Sequence, residues 1–184
     1  HKEYRRQRQM CIRDRARLLS AAGARLRPDE YSHSSIRNLY LDTPDFRLIR
    51  RSLEKPVYKE KLRLRSYGRA DREHPVFMEL KKKYRSIVYK RRLTLPYGRA
   101  LDCLTGDCPW PETQIGREIG YAMDFYPDLE PRVFLSYERD SWYAPESGLR
   151  ITFDDAIRFR TADLTLDSDL WGTCLLYTSD AADD

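Results

Sequence analysis

One ten-residue stretch restricts the fold more than any other: Tyr58–Tyr67, YKEKLRLRSY. Side chains of an extended chain alternate between faces, so Lys59, Lys61, Arg63 and Arg65 share one face. Tyr58, Leu62 and Leu64 share the other, with Glu60 among them. The leucines can bury against a helix or a second layer. The cations then form a row whose members repel one another, and water or a bound anion must relieve the repulsion. A solvated surface relieves it cheaply; a concave site needs the anion.

The same division recurs along the chain. In Val76–Lys83, Val76, Met78 and Leu80 oppose Glu79, Lys81 and Lys83. Ser86–Leu95 places Lys90, Arg92 and Thr94 together, and the short link before it predicts a hairpin. Val133, Leu135, Tyr137 and Arg139 are in phase in Arg132–Tyr143. Leu149–Asp154 alternates cleanly, and Ala156–Arg160 repeats the theme with Arg158 and Arg160. His1–Arg6 and Ser35–Asp42 read as further strands. Helical spacing marks Ala16–Leu26 and Ile115–Tyr126, Phe46–Leu53 reads as a short helix or an extended link, and Pro96–Pro131 interrupts the β pattern, with CPWP reading as a loop. One such strand is a solvated edge. Five of them would give a sheet with a cationic outer face, in which cross-strand neighbours repel. A closed antiparallel barrel solves the problem: an α+β fold with apolar faces outward under flanking helices and charged faces lining a tunnel. Glu79 and Asp154, acids among the cations, suit a divalent metal beside phosphate.

Bulk properties bound the partners. The chain has 184 residues, enough for one domain, a net charge of +5 and 34% charged residues, with a pI near 9.0. That balance favours an anionic partner. Thirteen tyrosines against six phenylalanines suit β structure with wet internal surfaces. No apolar run approaches the roughly 20 residues of a membrane span and no signal peptide is visible, so we expect a cytoplasmic protein. Cys103 and Cys108 have no ligands at zinc spacing and read as a structural thiol pair. His33 and His74 fall in loop-like stretches and read as surface residues. Residues 10–15, MCIRDR, and 174–184, CLLYTSDAADD, resemble translated sequencing-adapter read-through, which places the domain within residues 1–173 and puts residues 10–15 in question.

Taken in order, IRNLYLDTPDF, KEKLRLRSYG, VFMELKKK, YKRR, LSYERDSW and LRITFD resemble the VTC domain, the polyphosphate polymerase branch of the triphosphate tunnel (CYTH-like) superfamily. The resemblance implies a tunnel of antiparallel strands in which the γ-phosphoryl of ATP passes to a growing polyphosphate chain, with Mn²⁺ or Mg²⁺ as cofactor. It implies catalytic roles for Arg63 and Arg65, the paired arginines of the basic strand, for Lys81 of the ELK motif, and for Arg139 of the YxR pair. Arg5, Lys61, Lys90, Arg92, Tyr137 and Arg150 fall at phosphate-binding positions, and Glu79 at a metal position. The family also carries a final strand with an LExK-like motif whose glutamate helps hold the metal. In this sequence the adapter-like tail follows Thr173, so the resemblance leads us to expect the C-terminal strand or strands to be missing.

The residue types agree with that chemistry. Phosphoryl transfer depends on positioning and charge neutralisation more than on covalent help. Arginine stays charged, and its planar fork clamps phosphate oxygens. The nucleophile, a terminal phosphate, is already anionic, so no triad is needed. Two alternatives stay open: a tunnel enzyme that hydrolyses triphosphate or nucleotide, and a module that holds polyphosphate or inositol phosphate without turnover. A nucleic-acid polymer is disfavoured, because the basic face of Tyr58–Tyr67 lacks the interleaved aromatics that stack bases.

Overall fold

The computed structural model describes residues 12–85 and 87–175. The expected first strand, His1–Arg6, lies outside the described residues. Twelve elements follow in chain order, with a 3-10 turn, Gly23–Arg25, among them. Helix α1 (Ile12–Ala22) leads into the long strand β1 (Arg27–Asp42), then α2 (Arg47–Leu53) and a meander of β2 (Tyr58–Tyr67), β3 (Pro75–Tyr84) and β4 (Ile87–Pro96). Helices α3 (Tyr97–Thr105) and α4 (Gln114–Phe125) precede β5 (Glu130–Ala144), β6 (Leu149–Arg160) and the two-residue β7 (Thr173–Cys174).

All seven strands join one antiparallel sheet in the order β4-β3-β2-β1-β5-β6-β7. Among the described residues the sheet is open: β4 and β7 are its edges and do not pair with each other. The antiparallel α+β architecture is therefore as expected, but these strands do not close a barrel.

One face of the sheet carries the core. Leu39 and Leu41 of β1, Leu62 and Leu64 of β2, Val76, Met78 and Leu80 of β3 and Phe134 of β5 are buried there. Tyr97 and Ala100 of α3, Ile119 and Ala122 of α4 and Leu48 of α2 belong to the same apolar cluster. Burying these side chains is the main favourable term, at roughly 1.5–3 kcal/mol for each large apolar residue. Asp42, at the end of β1, fixes α2: its carboxylate accepts from the backbone N–H of Leu48 at 2.8 Å and of Ile49 at 3.0 Å.

The two halves of the sheet differ in regularity. β2, β3 and β4 pair without interruption, from Tyr58↔Tyr84 through Arg65↔Phe77 and from Pro75↔Pro96 to Tyr84↔Ile87. The β1–β5 and β5–β6 pairings contain register shifts. The bulge between Ser136 and Glu138 falls where Ala156 takes φ 49°. It turns what the sequence suggested as two strands into one bent strand and inverts the phase of its second half. Arg158, which pairs with Ser136, and Arg160, which pairs with Phe134, consequently face the core side instead of the cationic side.

There they hold the loop of residues 161–172. Arg160 donates to the carbonyls of Asp163 and Thr165, at 2.8 and 2.7 Å, and also to that of Leu170, while its guanidinium stacks over Phe134 at 3.6 Å. Buried Arg37 donates to Ser168 O at 2.6 Å and lies over Trp171. Gly172, φ 84°, then delivers the chain to β7; a Cβ there would meet Phe159 O at 2.2 Å. Cys174 and Leu175, assigned from sequence to the adapter-like tail, are part of this edge: Leu175 N–H donates to Ile157 O at 2.8 Å.

Candidate phosphate-binding face

On the face of the sheet opposite the core cluster, the meander sets the cations in rows. Pairing puts Arg63 opposite Glu79, and Glu79 opposite Arg92. Two residues along, toward the β3–β4 turn, Lys61, Lys81 and Lys90 stand side by side on three successive strands. Neighbouring strands lie about 4.8 Å apart and these rows about 7 Å apart. Lys59 and Lys83 follow on the same face.

Glu79 is the hub. Only 2% of it is exposed. Its Oε2 accepts from Arg63 Nε at 2.6 Å, and its Oε1 accepts from Arg92 Nε at 2.8 Å and from Lys90 Nζ at 3.1 Å. Burial alone would raise its pKa, but the charge and hydrogen bond of Arg63, with help from Arg65 and Arg92, hold it down at about 2. It is a permanent anion shared by three cations. Lys61, Arg63, Arg65, Lys81, Lys90 and Arg92 thus share one face of the meander, with Arg63, Lys90 and Arg92 bonded to this carboxylate, and the like charges directly opposite one another favour an anion on that face.

The arginines are aimed by neutral partners. Arg63 Nη1 donates to Tyr40 Oη at 3.0 Å. Arg65, 5% exposed, donates from Nε to Asn38 Oδ1 at 2.9 Å and from Nη2 to Tyr137 Oη at 3.2 Å. Such contacts fix a guanidinium fork without consuming its charge. Farther along the sheet, Arg139 forms a two-pronged pair with Asp154, at 2.6 and 2.7 Å, and lies over Tyr137.

The sequence-derived site thus divides. Arg63, Arg65, Lys61, Lys81, Lys90, Arg92 and Glu79 come together on β2, β3 and β4, and Tyr137 joins them through Arg65. Arg139 shares the face but spends its fork on Asp154. Arg150 stands beside the β5–β6 turn, opposite Tyr143 and 3.1 Å from Asp29. That is six residues, about 20 Å, along β5 from Tyr137, and so apart from the cluster. Arg5 lies outside the described residues. His33 pairs with Asp140 at 2.7 Å and Glu138 at 3.3 Å, well away from the cluster. Asn38 and Tyr40 were missed by sequence reasoning. Their signal was the period-two phase of SIRNLYLD, which becomes informative once Asn38↔Arg65 and Tyr40↔Arg63 are known.

Among the described residues the acidic side chains of this face are committed to cations and do not gather into a metal centre. Both oxygens of Glu79 are taken by cations, Asp154 is paired with Arg139, and no three His, Cys, Asp or Glu side chains among the described residues converge. A divalent ion at this face would rest on phosphate oxygens. No helix among the described residues is long and apolar enough to cross a membrane.

Comparison with known proteins places these features. A crystal structure of a "putative adenylate cyclase" from Bacillus halodurans aligns at TM-score 0.46 and 18% identity, covering 79% of this chain and 75% of that one. No curated protein sequence matches. The VTC domain family model matches residues 5–181, a span that includes every strand of the sheet and every cation of the cluster. The chain belongs to the VTC domain family.

Proposed function

We propose that this domain is an ATP-dependent polyphosphate polymerase, a phosphotransferase that moves the γ-phosphoryl of ATP onto the end of a polyphosphate chain. The observation that carries the reading is the register of the meander: two rows of cations on three strands about the buried carboxylate of Glu79. A polyanion satisfies such a surface along its length, whereas one small anion satisfies only part of it. Arg63, Arg65, Lys81 and Arg92 surround the transferring phosphoryl and neutralise charge that spreads onto its equatorial oxygens. Lys61 and Lys90 hold neighbouring phosphates. Tyr40, Asn38 and Tyr137 keep the arginine forks oriented. Arg139 positions phosphate if the incoming anion displaces Asp154. The attacking oxygen belongs to the terminal phosphate and is already ionised, so no protein base is assigned. Mn²⁺ or Mg²⁺ enters as the metal salt of ATP.

Incubation of the chain with Mn·ATP or Mg·ATP, with products resolved by gel and by phosphorus NMR, tests the reading. Long polyphosphate plus ADP is the expected result. ADP with inorganic phosphate alone would replace it with a tunnel hydrolase. Tight polyphosphate binding without ATP consumption would make the domain a holding module.

A further inference from the structure

Two sulfur atoms meet on the far side of the molecule from the cationic rows. Cys103 lies near the end of α3, and that helix stops at Gly106, φ 86°. The left-handed glycine turns the chain back, and Cys108 N–H donates to Asp102 O at 3.2 Å. The result is a tight loop in which the Cys108 and Cys103 Sγ atoms are 2.9 Å apart. That is within about 1 Å of the length of a disulfide bond. Each thiol otherwise has only a weak carbonyl contact: Cys103 to Pro109 O at 3.5 Å and Cys108 to Arg99 O at 3.8 Å. Cys103 is buried and Cys108 is half-exposed.

We propose that Cys103 and Cys108 are a redox modification site, closing to an intramolecular disulfide by exchange with a small-molecule disulfide such as oxidised glutathione. The half-exposed Cys108 reacts first. Its thiolate attacks one sulfur of the oxidant, the oxidant's S–S bond breaks, and one glutathione thiol leaves. Cys103 then gives up its proton and attacks Cys108 Sγ; the mixed disulfide breaks and a second glutathione leaves. Two protein thiols are oxidised and one disulfide is reduced to two thiols. The order follows from accessibility, and it agrees with acidity: burial first, then the neighbouring Cys108, pushes the Cys103 thiol up to about 12, so it is a poor leading nucleophile.

The bond would fasten the end of α3 to the segment that carries Trp110. Trp110 packs against the core cluster, and α3 and α4 supply the cover over β3 and β4. Oxidation thus tightens the support beneath Lys81, Lys90 and Arg92 without altering a charge on the opposite face.

Both cysteines fall in one tryptic peptide, Ala100–Arg117. The full chain is treated with oxidised glutathione, alkylated, digested and weighed. The expected peptide carries no alkyl group, is lighter by two hydrogens, and regains two alkylation sites after dithiothreitol. The bonded chain should also melt a few degrees higher than the reduced one. In Cys108→Ser, Cys103 should remain alkylatable and show no adduct. A peptide that takes up two alkyl groups after oxidant, a glutathione adduct that persists on Cys108, or a bridge to Cys11 or Cys174 would overturn the site. A bonded chain that melts no higher would overturn the claim that the bond fastens the cover.

Discussion

Glu79 ties stability to pH through a depressed pKa. Its carboxyl ionises near 2 in the folded chain against an ordinary 4.5, so its contribution is present above about pH 4.5 and is lost as pH falls toward 2. The full shift corresponds to something on the order of 3 kcal/mol. Denaturation between pH 2 and 7 should show that loss in the native chain and a flatter profile in Glu79→Gln, which should be less stable at neutral pH because Arg63, Arg92 and Lys90 lose their shared counter-ion. Lys61→Ala and Arg65→Ala separate charge from architecture. Lys61 is exposed, so its removal should weaken polyphosphate binding and slow synthesis while stability stays within about 0.5 kcal/mol. Arg65 is buried, and its loss strands Asn38 and Tyr137; synthesis should vanish and stability should drop by about 1–3 kcal/mol. Wild-type polymer yield from Arg65→Ala would refute its catalytic placement. At this scale much was legible beforehand, because period two puts Lys61, Arg63 and Arg65 on one face of β2 and Glu79 and Lys81 on one face of β3, each opposite that strand's apolar face. Tyr40 and Asn38 were not, since a strand's own sequence does not name the residue opposite.

At the scale of elements, β2, β3 and β4 could be read almost to their ends, and α3 could not. Pro96-Tyr97-Gly98 resembles a loop, yet proline suits a helix start, and Tyr97, Ala100 and Cys103 bury one helical stripe. The reversed phase of β6 was also hidden. Sequence alternation assumes an uninterrupted ladder, and the bulge at Ala156 breaks it, which is why Arg158 and Arg160 mimicked lining residues. Because Ala156 sits at positive φ, Ala156→Gly should be tolerated and Ala156→Val should cost about 1–2 kcal/mol in chemical denaturation. Arg160→Ala should free the loop of residues 161–172, visible as faster proteolysis within that loop while the tryptic pattern of β2–β4 is unchanged.

For the whole molecule, the antiparallel class and the side bearing the cations followed from composition and alternation, whereas the strand order did not. β1 pairs with β5 across most of the chain, and no local pattern encodes that partnership. The resulting charge distribution predicts that polyphosphate raises the thermal midpoint more than equimolar inorganic phosphate does, and that high salt diminishes the difference. Scanning calorimetry at low and high ionic strength would measure it; equal shifts from the two anions would argue against a lining that follows a polymer. The unbroken pairing of the meander has a further consequence, for inheritance. Deleting one residue within β2, β3 or β4 would rotate every following side chain through the sheet, carrying lysines into the leucine layer and leucines into the groove. The β5–β6 half already contains offsets and can absorb such a change. Descendants of this chain should therefore vary by substitution in the first half and by insertion or deletion in the second, so that length polymorphism among them would trace the boundary between ruler and hinge.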